Sequence, residues 1–142
     1  MRILIFTLLF LIPSLNNAQS SEYSEIEKTL NYYLDGGTNN DFGTLKKAFH
    51  ENATMKFVAN GEYTEVNAIA FFQKGMKPGP PQNRNTRIVY INVTGNAANA
   101  QIEIEYPQFS FIDYMNLLKV NGEWKIVSKI FFRKVREEES GT

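Results

Sequence analysis

The chain contains no cysteine. No disulfide can brace it, and no thiolate can act as nucleophile or metal ligand. There is a single histidine, His50. A histidine- or cysteine-rich zinc site needs three or four ligands, so none can be assembled. A Ser-His-Asp or Cys-His mechanism would need His50 as its base. Its setting, Phe49-His50-Glu51-Asn52, reads instead as a helix end beside solvent, where histidine interacts with the helix dipole. Charge of one sign is also lacking: 15 Lys+Arg stand against 15 Asp+Glu. Nucleic-acid binding requires a basic footprint, and there is none overall. No glycine-rich phosphate loop of the P-loop or dinucleotide type occurs. No apolar run is long enough to span a bilayer. These absences call for no metal and no cofactor. They leave a fold that must rest on its hydrophobic core.

The chain opens with Arg2, an apolar run from Ile3 to Ile12, and Asn16-Asn17-Ala18 before Gln19. That is the pattern of a secretory signal peptide. Residues 1–18 are therefore expected to be removed after Ala18, leaving one domain at 19–142 in a secreted or periplasmic location. Without cysteine, a lipid-anchored form of such a signal is excluded. Loss of Arg2 leaves 14 Lys+Arg against 15 Asp+Glu, a mature net charge of about −1. The mature length suits a single core.

Ile26, Leu30, Tyr33 and Leu34 lie on one helical face within Glu22 to Leu34, and Gly36-Gly37 is expected to stop that helix. Asn40 or Asp41 can cap a second, short helix marked by Phe42, Leu45, Ala48 and Phe49. Asn52 to Ala59 reads as a strand, returning after Asn60-Gly61 through Tyr63 to Val66. Asn67 can cap a third helix ending at Gly75. Met76 to Asn85 is a loop, rich in proline and glycine, and is expected to edge the mouth of a pocket. Two alternating strands follow, one with Val89, Ile91 and Val93 inward, the other with Ile102, Ile104 and Tyr106 inward. The last two strands meet at Asn121-Gly122, the strongest short-range hairpin signal. Helices early and strands late make an α+β fold: three N-terminal helices on one side of a mostly antiparallel sheet.

The hairpin carries the chemistry. With Asn121 and Gly122 at the centre of a type I′ turn, Lys119 faces Trp124, Leu117 faces Ile126, Met115 faces Ser128 and Asp113 faces Ile130. One face then holds Phe109, Phe111, Asp113, Met115, Leu117, Trp124, Ile126, Ile130 and Phe132. Lys125, Lys129 and Glu123 fall on the other, so the first is the core face and Asp113 points inward. A buried carboxyl is hydrogen-bonded, paired or protonated. A one-residue change in turn length would instead move one strand's set outward and leave Asp113 in solvent. With 7 tyrosines and 11 phenylalanines, the aromatic residues either fill the core or line a slot for a flat ligand. Candidate lining residues are Asp113, Tyr33, Phe57, Tyr106, Phe111, Met115 and Trp124.

Several segments together carry a family resemblance. They are Tyr33-Leu34-Asp35-Gly36 with Asp41, Leu45 to Thr54, Asp113-Tyr114, and Gly122 to Lys129. The chain resembles the nuclear transport factor 2-like superfamily, and within it the lumazine-binding (SnoaL-like) group. The resemblance implies a cone of three helices against a strongly curved sheet. That cone hosts isomerases, cyclases, dehydratases, epoxide hydrolases and non-catalytic proteins, so the fold alone names no activity. Compared with ketosteroid isomerase, Tyr33 falls at the oxyanion tyrosine and Ile112-Asp113-Tyr114-Met115 resembles the segment of the protonated aspartate. The general base has no counterpart, because Phe57 occupies its place. This argues against that isomerase activity. The resulting expectation is an exported domain binding a small apolar or aromatic molecule such as lumazine. It has no nucleic-acid partner and no membrane contact once the signal is removed. Two alternatives stand beside it: a lyase or isomerase using Asp113 and Tyr33, and a non-catalytic module that forms homodimers through the apolar second sheet face.

Overall fold

The computed structural model describes residues 15–136, with side chains from residue 20. Most of the expected signal segment, residues 1–18, lies outside the described residues. Three helices, α1 (Leu15–Thr38), α2 (Phe42–Lys47) and α3 (Ala68–Gly75), pack on one six-stranded sheet. Its strands are β1 (Phe49–Ala59), β2 (Glu62–Asn67), β3 (Asn85–Thr94), β4 (Ala97–Glu105), β5 (Phe109–Val120) and β6 (Glu123–Val135). The spatial order is β2-β1-β6-β5-β4-β3. Every neighbouring pair is antiparallel except β1 and β6, which run parallel. The α+β fold expected from the order of elements is the one formed. No helix among the described residues is long and apolar enough to cross a membrane.

Local chemistry sets the boundaries. Asp41 caps α2, accepting from the Thr44 amide at 3.1 Å and the Thr44 hydroxyl at 2.6 Å. Asn67 caps α3, accepting from the Ala70 amide at 2.9 Å. The Asn121-Gly122 turn has φ values of 52° and 82°, the type I′ geometry that suits strand twist. Gly36-Gly37 does not stop α1, contrary to expectation. The helix runs on to Thr38, and Asn40 at φ 55° turns the chain. Glycine is needed at 36 for proximity: a Cβ there would collide with the backbone of Leu45. Phe49 and His50 belong to β1, not to the second helix. The His50 Nδ1 accepts from the Asn52 amide at 3.1 Å. Asn85 opens β3 rather than closing the loop.

Two β-bulges correct the expected strand faces. In β3 the register shifts between Ile88 and Tyr90, so Ile88 turns inward and Val89 is exposed. The larger consequence is in β6. Pairing follows the Asn-Gly turn as far as Leu117 opposite Ile126, and then Asn116 pairs with Ser128. Val127 is the extra residue. A bulge adds one residue to one strand and reverses the facing of everything beyond it. Lys129 therefore turns inward, 4% exposed, while Ile130 and Phe132 turn outward at 48% and 63%. Met115 now pairs with Lys129 and Asp113 with Phe131.

The core lies between helices and sheet. Ile26, Leu30 and Leu34 of α1 and Leu45 of α2 meet Met55, Ile102, Ile104, Met115, Leu117 and Ile126 of the sheet. Close approach of α1 and α2 depends on Gly36. Gly36→Ala should therefore cost about 1–3 kcal/mol, as overpacking typically does, read as a lower urea midpoint with an unchanged slope.

Candidate functional site

The side of the sheet facing the helices holds a cavity of about 220 Å³ beside the core. Apolar residues make most of its wall: Leu45, Met55, Ile104, and the rings of Phe71, Phe72, Phe111 and Phe131. Tyr33, Tyr106, Gln82, Arg84 and Lys129 supply the polar groups. Few polar groups on an apolar, aromatic wall is the usual make-up of a small-molecule site.

Asp113 is fully buried. The Tyr33 hydroxyl donates to its Oδ2 at 2.7 Å, and the Lys129 ammonium donates to its Oδ1 at 2.8 Å. Tyr33 and Lys129 line the cavity, and Asp113 sits behind them. Lys129 Nζ lies 4.0 Å from the Phe131 ring centroid and 5.9 Å from that of Tyr33, within range of a cation–π attraction. Burial holds the Lys129 ammonium below its ordinary pKa, against the opposing pull of the Asp113 charge and hydrogen bond. Burial, and then the charge and hydrogen bond of Asp113, push the Tyr33 hydroxyl well above its ordinary value. Tyr33 thus stays protonated at any physiological pH and remains a donor.

A second group of polar lining residues comes from the loop after α3 and from Tyr106 at the end of β4. The Arg84 guanidinium donates to the Leu34 carbonyl at the end of α1 (3.1 Å), the Thr38 hydroxyl (2.9 Å) and the Tyr106 hydroxyl (2.9 Å). The Tyr106 hydroxyl donates in turn to Gln82 Oε1 at 2.8 Å. The Gln82 amide nitrogen donates to the Gly37 carbonyl and to Asn40 Oδ1, each at 3.0 Å. A cation at a helix C-terminus is favoured by the dipole and by unsatisfied carbonyls. No Asp or Glu pairs with Arg84 among the described residues. Lys129 is neutralised by Asp113, so the wall retains one uncompensated positive charge.

Of the residues proposed from sequence, Tyr33, Tyr106 and Phe111 line the cavity, and Asp113 supports it from behind. Phe57 lies nearby, 5.0 Å from the Phe131 ring and 6.4 Å from the Phe71 ring, but not on the wall. Met115 is wholly within the core. Trp124 sits elsewhere, its indole donating to Glu22 at 2.7 Å. Sequence reasoning missed Lys129, and it put the loop from Met76 to Asn85 at the mouth without singling out Arg84 and Gln82. Lys129 was hidden by the bulge. Arg84 and Gln82 fall in a loop whose composition carries no periodicity.

Comparison with known proteins agrees with this architecture. The family described as "Putative lumazine-binding" matches residues 21–132. The chain belongs to that family. A nuclear transport factor 2-like protein of unknown function from Shewanella baltica OS155 is 32% identical, with 80% of this chain and 94% of that one aligned and a TM-score of 0.73. A similar protein of unknown function from Methylobacillus flagellatus KT is 27% identical over 88% and 96% of the two chains, with a TM-score of 0.68. A curated relative, "Aldolase FrzH" of Cladobotryum sp., is 23% identical over 79% of this chain and 91% of its own length.

The Asp113–Lys129 pair permits a direct test. Breaking a buried pair at one partner leaves the other charge uncompensated and typically costs about 3–5 kcal/mol, whereas apolar replacement of both is far milder. In urea unfolding, Lys129→Met and Asp113→Leu should each be strongly destabilising. The double variant should lose much less than their sum. Additive losses would show that the two side chains are energetically independent.

Proposed function

We propose that the protein is an exported small-molecule-binding domain whose ligand occupies the cavity between Tyr33, Tyr106, Phe111 and Phe131. The observation that carries this reading is the combination at one place of a mostly apolar, aromatic-walled cavity of about 220 Å³ with two hydrogen-bonded polar groups, Tyr33 with Lys129 and Arg84 with Tyr106 and Gln82. Its shape class is a flat ring system, because aromatic edges and faces bound it. The uncompensated charge of Arg84 favours a ligand with an anionic or strongly hydrogen-bond-accepting edge. Lumazine, the molecule in the family description, is flat and rich in acceptors and suits that wall. The enzymatic reading is second, supported by the relative named as an aldolase and by a lysine in the wall. In that reading Asp113 does not face a substrate itself, since Lys129 and Tyr33 stand in front of it.

Ligand binding raises the melting temperature in proportion to RT ln(1 + [L]/Kd). Lumazine and a panel of flat aromatic acids should raise it, and should shift the amide resonances of Tyr106, Phe111 and Phe131 ahead of the rest. A panel that moves neither at millimolar concentration would end the binding reading.

We further propose that the mature chain dimerises through the outer sheet face. There Val58, Tyr63, Tyr114, Ile130 and Phe132 are 71%, 68%, 43%, 48% and 63% exposed. The bulge that turns Lys129 inward adds Ile130 and Phe132 to this patch. Protein recovered from the periplasm or medium should begin at Gln19 and scatter light as a dimer. A retained N-terminus would refute export, and a strict monomer would refute the dimer.

A further inference from the structure

We propose that Lys129 is the reacting group of the cavity: its Nζ forms an imine with the carbonyl carbon of an aldehyde or ketone bound there. This rests on the reading of the cavity as a ligand site and adds the chemical class of the ligand. Lys129 is the one buried lysine among the described residues. Its side chain lines the cavity. The structure gives its Nζ one hydrogen bond, to Asp113, although an ammonium has three donors. A purely structural role for this arrangement is costly. A buried ion pair is commonly no better for stability than apolar residues of the same size. Here the sheet departs from regular pairing at Val127, and it is this departure that brings the lysine inside.

The surroundings suit nucleophilic amine chemistry, which needs a neutral lysine held in an apolar place. Burial shifts Lys129 in that direction. Each unit by which a lysine pKa falls raises its neutral fraction near pH 7 about tenfold. In the step itself, the Nζ lone pair forms a C–N bond to the carbonyl carbon. The carbonyl π pair moves to oxygen, which takes a proton given up by the nitrogen. The resulting carbinolamine gives up its second N–H proton as the hydroxyl leaves as water and C=N forms. One amine and one carbonyl thus give one imine and one water, with no oxidant or reductant. A protonated imine carries its positive charge where the ammonium had been, 2.8 Å from Asp113 Oδ1. The same carboxyl group therefore serves both states. Tyr33, bonded to Oδ2 and kept protonated, acts as a positioning residue that holds the carboxyl in line.

The test uses benzaldehyde as probe, with benzyl alcohol as a probe of similar shape that has no carbonyl. The intact protein is incubated with benzaldehyde and sodium cyanoborohydride near pH 7, digested, and mapped by mass spectrometry. The expected result is alkylation at Lys129 ahead of every other lysine, suppressed by excess benzyl alcohol. Competition between lysines of one wild-type molecule makes the result independent of any variant's folding. Lys129→Arg keeps the positive charge and should lose the label. Labelling spread over the exposed lysines without preference for Lys129 would overturn the proposal. If benzyl alcohol then still shifted the Phe111 and Phe131 resonances, the cavity would stand as a binding site and only the imine would fall. If neither probe engaged the cavity, both readings would fall together.

Discussion

The ion pair between Lys129 and Asp113 organises this molecule. Both partners are removed from water, and the Tyr33 hydroxyl completes the carboxyl's partners. Taking two charges out of water costs several kcal/mol per ion unless geometry and hydrogen bonding compensate. Here they do so by joining three elements: the last third of α1, β5 and the middle of β6. The pair requires Lys129 to face inward, which requires the bulge at Val127. The bulge in turn exposes Ile130 and Phe132 on the other side. One extra residue thus sets the polarity of the cavity floor and the apolarity of the outer face together.

The second wall obeys a different logic. The loop between α3 and β3 is irregular, yet it is fixed by what it satisfies. Gln82 takes up the Gly37 and Thr38 carbonyls in the last turn of α1 through its side-chain and backbone N–H groups, Arg84 adds a bond to the Leu34 carbonyl one turn earlier, and Tyr106 joins the two side chains. Arg84 thus lines the cavity and fastens the loop to α1 at once. Positioning and charge come from the same guanidinium, which is why a rigid fork rather than a flexible amine suits this place.

The sequence was legible where periodicity and turn chemistry agree. The Asn-Gly turn defined the register for the residues beside it, and Leu117, Trp124 and Ile126 are buried as that register requires. Asp113 reads as inward for the same reason, because β5 keeps its alternation. Beyond Ile126 the alternation was misleading. Lys125 and Lys129 share a parity, so they read as one solvated stripe, and no glycine marks the bulge at Val127. A lysine flanked by Ile130, Phe131 and Phe132 was the available hint, since a solvated face seldom needs such neighbours. Gly36-Gly37 was misread because a helix stop and a close helix crossing call for the same residue. Arg84 was invisible for a simpler reason. Its role depends on where a loop lands in space, and nothing local encodes that.

The parallel pairing of β1 with β6 also bears on how the protein comes into being. The last of the described strands, β6, is one of the two central ones, flanked by β1 from the first half of the chain and by β5. During synthesis the β1–β2 hairpin and the β3–β4–β5 meander emerge as two fragments with no seam between them. The β1 edge of one and the β5 edge of the other stay unpaired until β6 docks between them. Such long-range closure is slow and leaves strand edges open to wrong partners. The strand that joins the fragments also brings Lys129 and Phe131, so the cavity wall is incomplete until β6 is in place. Closing the sheet and completing the site depend on the same strand.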